Sequence, residues 1–525
     1  MIESNRIYNQ DCLDGLKLLD TDSIDAIVSD PPYQLTSMTR GRPDQTEDGE
    51  YGREVPFSRV QSRIKGFMNK DWDVLPSVDI LKECLRVLKT GAWALWLMTP
   101  RQDSQLEFLL RLRQAGFNIS FSSVEWVYAS GFPKAADLSL LADKKACRED
   151  LIQKLTREPT KEEFKEAWSK FREITGYSKN HPDFIDLGTK TKEREGINKL
   201  GIGITAERKD LPITNPHSSE AQALSGSYAG MQLKPARELI IVSQKSIAGK
   251  TYLDQALLHL KEPEHNQLGG SYLDDCRVPY NKLKETDKRV GTNISIQTTT
   301  PIATSEFKFG NGINGFKTPY YKDEGRFPAN IIVSDNALDI GMNKISKLVD
   351  GSKLPPTGKN SIYGNYNRLD NIRGYDDSGD LSRYFDLDFW FENKLKELPE
   401  EQQKIFPFLY VPKASKSERN KGLENLPETL SINGDKWTDM DRRENNKPTP
   451  RRNIHPTAKP IKLMSYLITL TTRENDIILD PFIGSGTTAI SSILLKRRFI
   501  GFEREKEYFT IAMERIKHYQ KQAVL

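Results

Sequence analysis

Little in this chain can crosslink it or hold a metal. Its four cysteines, Cys12, Cys84, Cys147 and Cys276, lie far apart with no C-x-x-C pair. That spacing argues against a disulfide framework or a zinc cage and favours a reducing compartment, the cytoplasm. The six histidines include no H-E-x-x-H pattern, so no metal site is expected. No run approaches the roughly 18 apolar residues of a membrane span, and no secretory signal opens the sequence. No unit repeats at a fixed period. Charge of neither sign dominates: 77 basic against 73 acidic residues leave +4, which neither requires nor excludes nucleic acid. What the chain does have is length. Its 525 residues, 37% hydrophobic and 29% charged, exceed a single compact core, so two structural units are expected.

Ile24-Asp25-Ala26-Ile27-Val28-Ser29 reads as a strand, and Asp30-Pro31-Pro32-Tyr33 ends it. The prolines stop a sheet ladder because each lacks an N–H and has φ held at about −65°. The Pro31 carbonyl is then free of ladder duty, and Asp30 and Tyr33 project from a stiff corner. An acceptor carboxylate, a free carbonyl and an aromatic face suit a flat ligand with an exocyclic amino group, such as adenine. Taken alone, the four residues also fit an ordinary strand-ending turn with a surface tyrosine.

Near the other end, Asp476-Ile477-Ile478-Leu479-Asp480 reads as a buried strand. Pro481-Phe482-Ile483-Gly484-Ser485-Gly486-Thr487-Thr488 reads as a glycine turn, and Ala489 to Lys496 as a helix. Gly484, Gly486 and Ala489 fit G-x-G-x-x-[GA], which brings backbone close to a ligand at a helix N-terminus. A further strand, Arg498 to Phe502, ends at Glu503, 19 residues after Gly484. At that spacing an acid meets a ribose hydroxyl in a nucleoside-binding βαβ unit. No Lys-Ser or Lys-Thr follows Gly486, so a Walker A loop is excluded. The glycine turn alone also allows a nicotinamide-dependent dehydrogenase, which leaves the tetrapeptide unexplained.

The stretch from Arg6 to about Phe132 alternates short strands with amphipathic helices, the βαβ logic of a mostly parallel sheet. Val78 to Leu88 reads as a helix capped at Gly91, followed by a strand from Ala92 to Leu97. Leu106 to Ala115 reads as a helix stopped at Gly116, and Ile119 to Tyr128 as a strand. Gln34 to Asp71, polar and arginine-rich at its centre, is expected to be an active-site lid. Lys144 to Ile174 reads as a charged helical stretch, and Lys234 to Lys245 as a return to the sheet. Residues 246 to 410 interleave basic, aromatic and amide residues, as in Gly310 to Lys322 and Tyr363 to Arg373, a mixture suited to groove contacts and base stacking. Gly434 to Asn453 reads as a surface connector. Ile461 to Thr471 reads as a helix, as does Lys506 to Gln520, whose stripe at Phe509, Met513 and Ile516 is core packing.

Asp30-Pro31-Pro32-Tyr33, followed 450 residues later by Asp480-Pro481-Phe482-Ile483-Gly484-Ser485-Gly486, resembles the S-adenosylmethionine-dependent amino-methyltransferases of DNA. The order of the two motifs resembles their permuted beta class. Asn9-Gln10-Asp11-Cys12 with Leu16 is similar to the family's N-terminal cofactor-contacting stretch. His455-Pro456-Thr457-Ala458-Lys459-Pro460 is similar to the segment leading into the first cofactor helix. Lys234 to Glu238, Arg326 to Asn330 and Val411 to Lys416 are similar to the phage- and restriction-associated branch.

The resemblance implies an α/β fold: a Rossmann-like class I methyltransferase sheet, circularly permuted, with a large inserted target-recognition region. Residues 1–132 would be the catalytic half, 133–410 mainly the insert, and 411–525 the cofactor-binding half. It also implies S-adenosylmethionine as cofactor, double-stranded DNA as substrate and the cytoplasm of a bacterial or phage-infected cell. A homodimer and a cognate restriction endonuclease are compatible with it. Asp30, Pro31, Pro32 and Tyr33 would be catalytic. Asp480, Gly484 and Gly486 would frame the cofactor's methionine portion, with Pro481 and Thr487 also cofactor-binding, and Phe482 would pack against the adenine or the substrate side, or equally into the core. Glu503 would hold the ribose, and Asp11, beside Cys12, would meet the adenine amino group. His455, Thr457 and Lys459 would line the methionine carboxylate pocket, and Lys413 and Lys416 would contact phosphates. Within the family Asp at the first tetrapeptide position is usual for adenine N6 and Ser for cytosine N4, so Asp30 favours adenine. Cytosine N4 is the nearest alternative. A catalytically silent DNA-binding relative is opposed by intact Asp30, Tyr33, Gly484, Gly486 and Glu503.

Overall fold

The computed structural model describes residues 2–34, 72–128, 136–177, 212–229, 236–279, 325–334, 385–397, 416–431 and 449–523, with a few short pieces between them. The expected lid, apart from Gln34, lies outside the described residues, as do Lys413 and most of Gly310 to Lys322, Tyr363 to Arg373 and Gly434 to Asn453. Two compact units emerge. One comprises 1–130, 236–427 and 452–525, and the other 131–235 with 428–451. The division differs from the expected 133–410 insert, because 236–427 groups with the two ends of the chain.

The first unit is built on one eight-stranded sheet. In chain order its strands are β1 (Arg6–Tyr8), β2 (Ile24–Ser29), β3 (Leu88–Met98), β4 (Val124–Val127), β5 (Arg237–Gln244), β6 (Ile331–Val333), β7 (Ile477–Asp480) and β8 (Arg498–Phe502). Their spatial order is β1-β8-β7-β2-β3-β5-β4-β6, parallel throughout except for β5, which runs against both neighbours. This is the expected α/β, Rossmann-like arrangement, and Lys234 to Lys245 does contribute a strand to it.

Every residue of β2 is buried, as a central parallel strand between two helical layers requires. Alternation sorts side chains to opposite faces. Leu95 and Leu97 of β3 join the core beneath helices Ile461–Thr471, Thr487–Leu494 and Lys506–Ala523. Ala94, Trp96 and Met98 join the core under Val78–Val87 and Gln102–Ala115. In the terminal helix Ile516 is buried, and Phe509 and Met513 pack against the same core.

Several local expectations shift. The helix from Val78 ends at Val87 and runs directly into β3, so Gly91 is inside a strand rather than a helix cap. Its φ of 80° accompanies a slip in the β2–β3 register, where Ile24 faces Leu88 but Ala26 faces Trp93. Glycine adopts that left-handed conformation without a Cβ penalty, which is what a bulge of this kind needs. Gly116 does cap its helix, with φ 103°. In the second unit the charged stretch is two helices, Leu138–Leu155 and Lys161–Phe171, separated by Pro159 and restarted by a Thr160–Glu163 capping box. Among the described residues no helix is long and apolar enough to cross a membrane.

One carboxylate sits where the apolar run of β2 gives no warning. Asp25 is 2% exposed. It accepts from Lys89 at 2.6 Å, Gln267 at 2.9 Å and the Ile477 amide at 2.7 Å, tying β2 to β3 and to the start of β7. Asp25→Asn turns one acceptor into a donor and leaves Lys89 without its anion. It should lower unfolding stability by about 2 kcal/mol. Urea denaturation followed by circular dichroism checks this, and an unchanged midpoint would remove Asp25 from the brace.

Candidate active site

β2 and β7 are adjacent and parallel, with Ala26 opposite Ile478 and Ile27 opposite Leu479. Their carboxyl ends therefore release the tetrapeptide and the glycine turn side by side, where open α/β sheets bind ligands. The Ser29 hydroxyl donates to Asp480 Oδ1 at 2.6 Å, joining residues 451 apart in sequence. Asp480 Oδ1 also accepts from the Phe482 amide, and Oδ2 from the Thr488 hydroxyl at 2.6 Å. Both oxygens are thus engaged within the protein, so Asp480 locks the turn in place. Burial pushes its carboxyl up to about 6.

A cavity of about 320 Å³ lies over these strand ends, within the range of small-molecule sites. All sixteen residues expected at the site line it except Gly486. Gly486 instead caps the helix Thr487–Leu494 from below, with φ 81°. At Gly484, with φ 53°, an added Cβ would stand 2.7 Å from His455 Nε2, so the turn is pressed against that ring. The His455 Nδ1 accepts from the Thr457 amide at 3.4 Å. Burial, with Arg419, Lys459 and Arg515 nearby, holds the imidazole down at about 3, so it is neutral.

Glu503 follows β8 into the cavity wall. Its Oε1 accepts from the Glu505 amide at 2.8 Å, and burial pushes the carboxyl up to about 7. Asp11 caps the short helix Cys12–Leu16 through the Leu13 amide at 2.9 Å. The Cys12 thiol, pushed up to about 12 by burial, is not a nucleophile at neutral pH.

Around Asp30 the arrangement is denser than expected. The Tyr33 hydroxyl donates to Asp30 Oδ1. Lys459 Nζ donates to Asp30 Oδ2 at 2.5 Å and to the Tyr33 hydroxyl at 3.0 Å, so it sits on the tetrapeptide itself. Burial pushes Asp30 up and Lys459 pulls it back; burial pushes Lys459 down, and Asp30 and Glu238 more than reverse this. The two shifts pull in opposite senses for one shared proton. We read the pair as ionised, because a buried ammonium in contact with a carboxylate is held charged by it. Burial, then Asp30, hold the Tyr33 phenol well above its usual range.

Four residues here escape motif reading. Asp73 Oδ1 accepts from the Tyr33 and Gln34 amides at 3.0 and 2.8 Å, clamping the turn after the prolines. Trp72 and Tyr508 meet edge to face, 6.2 Å apart, on the cavity wall. Arg515, fully buried, donates to the Ser485 carbonyl at 2.5 Å and braces the glycine turn from behind.

Residues 302–514 match the family model of the DNA methylases, N6_N4_Mtase. That segment is similar to the family, and it makes up less than half of the chain. The matched segment holds His455, the glycine turn and Glu503. Among relatives, the Type II methyltransferase M2.DpnII of Streptococcus pneumoniae is 52% identical over 63 residues, 12% of this chain and 24% of that protein. The Type II methyltransferase M.HindIII of Haemophilus influenzae is 45% identical over 65 residues, 12% and 21% of the two chains. The chain thus spans about a quarter of the length of the curated relatives it matches. Among solved structures, PvuII DNA methyltransferase (cytosine-N4-specific) aligns with a TM-score of 0.34 at 10% identity, covering 100% of this chain and 94% of that one.

Proposed function

We propose that this protein is a DNA methylase that transfers a methyl group from S-adenosylmethionine to the exocyclic N6 amine of an adenine flipped out of double-stranded DNA. The observation that carries the reading is the meeting of Asp30 and the glycine turn on adjacent strand ends, joined through Ser29 and Asp480.

The cavity's residues fit the cofactor. Glu503 offers a half-buried acceptor for the ribose diol. The Gly484 turn lets backbone approach closely, and Asp11 lies on the same wall. Neutral His455, set among Arg419, Lys459 and Arg515, stands in a positive field suited to a carboxylate. When bound, the cofactor supplies an electrophilic methyl group on a sulfonium. Asp30 and the Pro31 carbonyl accept the two N–H bonds of the target amine. Accepting them draws its lone pair out of the ring and stabilises the positive charge that develops on nitrogen. Tyr33 offers a stacking face, worth about 1–3 kcal/mol per base. The base has to leave the helix because its amine is unreachable inside the duplex.

Sequence recognition is assigned mainly to the 133–410 segment, apart from the strands it returns to the sheet. A cytoplasmic location, a homodimer and a cognate restriction endonuclease belong to the same reading. The test is direct. Unmethylated plasmid DNA, treated with enzyme and S-adenosylmethionine and digested to nucleosides, should yield N6-methyladenine by mass spectrometry. N4-methylcytosine instead would overturn the choice of base, and no methylated base at all would overturn the activity. Single-molecule sequencing of the same DNA gives the motif.

A further inference from the structure

Both oxygens of Asp30 are hydrogen-bonded within the protein, Oδ1 to the Tyr33 hydroxyl and Oδ2 to Lys459. An amine that is to donate to Asp30 has to displace one of these donors. Tyr33 shares the turn with Asp30. Lys459 comes from a separate segment, just ahead of the helix Ile461–Thr471, and has a second carboxylate beside it. Glu238, on the reversed strand β5, puts Oε2 3.6 Å from Lys459 Nζ. That oxygen is buried and, among the described residues, has no hydrogen-bond partner. The other, Oε1, is 3.4 Å from the Tyr128 hydroxyl.

We propose that Lys459 is a placeholder for the target amine: its ammonium occupies the donor position on Asp30 and is handed to Glu238 when the flipped base arrives. The inference rests on the methyltransferase reading and adds to it a positioning residue, Glu238, that acts through Lys459.

Three observations carry it. First, the Lys459 ammonium presents N–H donors to the same carboxylate that an exocyclic amine would use, beside the same tyrosine. Second, Lys459 is only 8% exposed, and a buried cation displaced from Asp30 with no carboxylate to receive it would be heavily penalised. A shift of less than about 1 Å brings Nζ within hydrogen-bond reach of Glu238, so the cation is never unpaired. Third, a buried carboxylate oxygen without a donor calls for an explanation, and a waiting acceptor is one. After the hand-over one cation faces two carboxylates. The net charge of the three groups stays at one negative, but Asp30 is freed to face the positive charge that grows on the attacking nitrogen.

The test is a mutant cycle on the full-length protein. The probes are S-adenosylmethionine with a tritiated methyl group and unmethylated plasmid DNA. Glu238→Gln, which is isosteric, should lower kcat about 10- to 100-fold. Its calorimetric affinity for S-adenosylmethionine and its thermal midpoint should match wild type, and Glu238→Asp should recover part of the rate. Lys459→Met should move the acid limb of the kcat profile to higher pH, because Asp30 loses the cation that keeps it ionised. Adding Glu238→Gln to Lys459→Met should then cost nothing or restore activity, since no ammonium is left to receive. Wild-type kcat in Glu238→Gln, or a loss that simply adds to that of Lys459→Met, would overturn the hand-over and leave the methyltransferase reading standing. A wild-type enzyme that binds S-adenosylmethionine but labels no DNA would instead overturn the reading itself, and the hand-over with it.

Discussion

Replacing Asp30 by alanine should reduce methyl transfer at least about a thousandfold while leaving the affinity for S-adenosylmethionine within about threefold. A preorganised group aimed at charge that develops in the transition state is worth about 10²–10³ in rate. Asp30 is asked for more, because it also orients the amine. The fold has reason to survive the change. Lys459 keeps Glu238 as a counter-ion at 3.6 Å, and the Ser29–Asp480 hydrogen bond that joins the two strand ends is untouched. Tritium incorporation into DNA reads the rate, and calorimetry reads the cofactor. Cofactor binding lost with transfer retained would move Asp30 out of catalysis and into the cofactor pocket.

What the sequence revealed of this site is what local rules write into a short stretch. Ile24 to Ser29 had to be a strand because its apolar run is too short for a helix and two prolines end it. Gly484 and Gly486 had to turn because each takes a positive φ, and Glu503 followed at the spacing of one βαβ unit. Residues whose role depends on partners far along the chain left no such mark. Glu238 is an ordinary polar residue near the start of a strand until β5 is placed between β3 and β4, which brings it to Lys459. Asp25 looks like an interruption of an apolar run until Lys89, Gln267 and the Ile477 amide surround it. Gly91 illustrates the reverse error. A helix followed by Lys-Thr-Gly suggests a cap, but the strand pairing with β2 captured Leu88 and left the glycine to absorb a register slip. Lys459 was visible as part of a motif, and its attachment to Asp30 was not, because that contact joins residues 429 apart.

Replacing Glu503 by alanine should weaken S-adenosylmethionine binding by about 10²–10³, with a smaller effect on the rate at saturating cofactor. A carboxylate that accepts from both hydroxyls of a ribose makes two charge-assisted hydrogen bonds, each worth about 1.5–3 kcal/mol. The same residue makes binding depend on pH in a direction its environment fixes. Burial pushes Glu503 up to about 7, with Glu505 and Asp480 adding to the shift and the Glu505 and Gly484 amides opposing it. A raised carboxyl favours the protonated folded state. Its contribution to stability is complete below its ordinary value of about 4.3 and is lost as pH climbs through about 7. The cofactor works the other way, since hydroxyl donors want the ionised acid. Affinity should therefore rise as pH goes from about 6 to about 8 and level off above that, with protons released on binding. Calorimetry in buffers of different ionisation enthalpy measures both effects. In Glu503→Ala the proton release assigned to this residue should vanish along with the rise in affinity. If that variant kept wild-type affinity and wild-type pH dependence, Glu503 would not be at the ribose, and the acid that holds the diol would have to be sought elsewhere on the cavity wall, with Asp11 the first to replace.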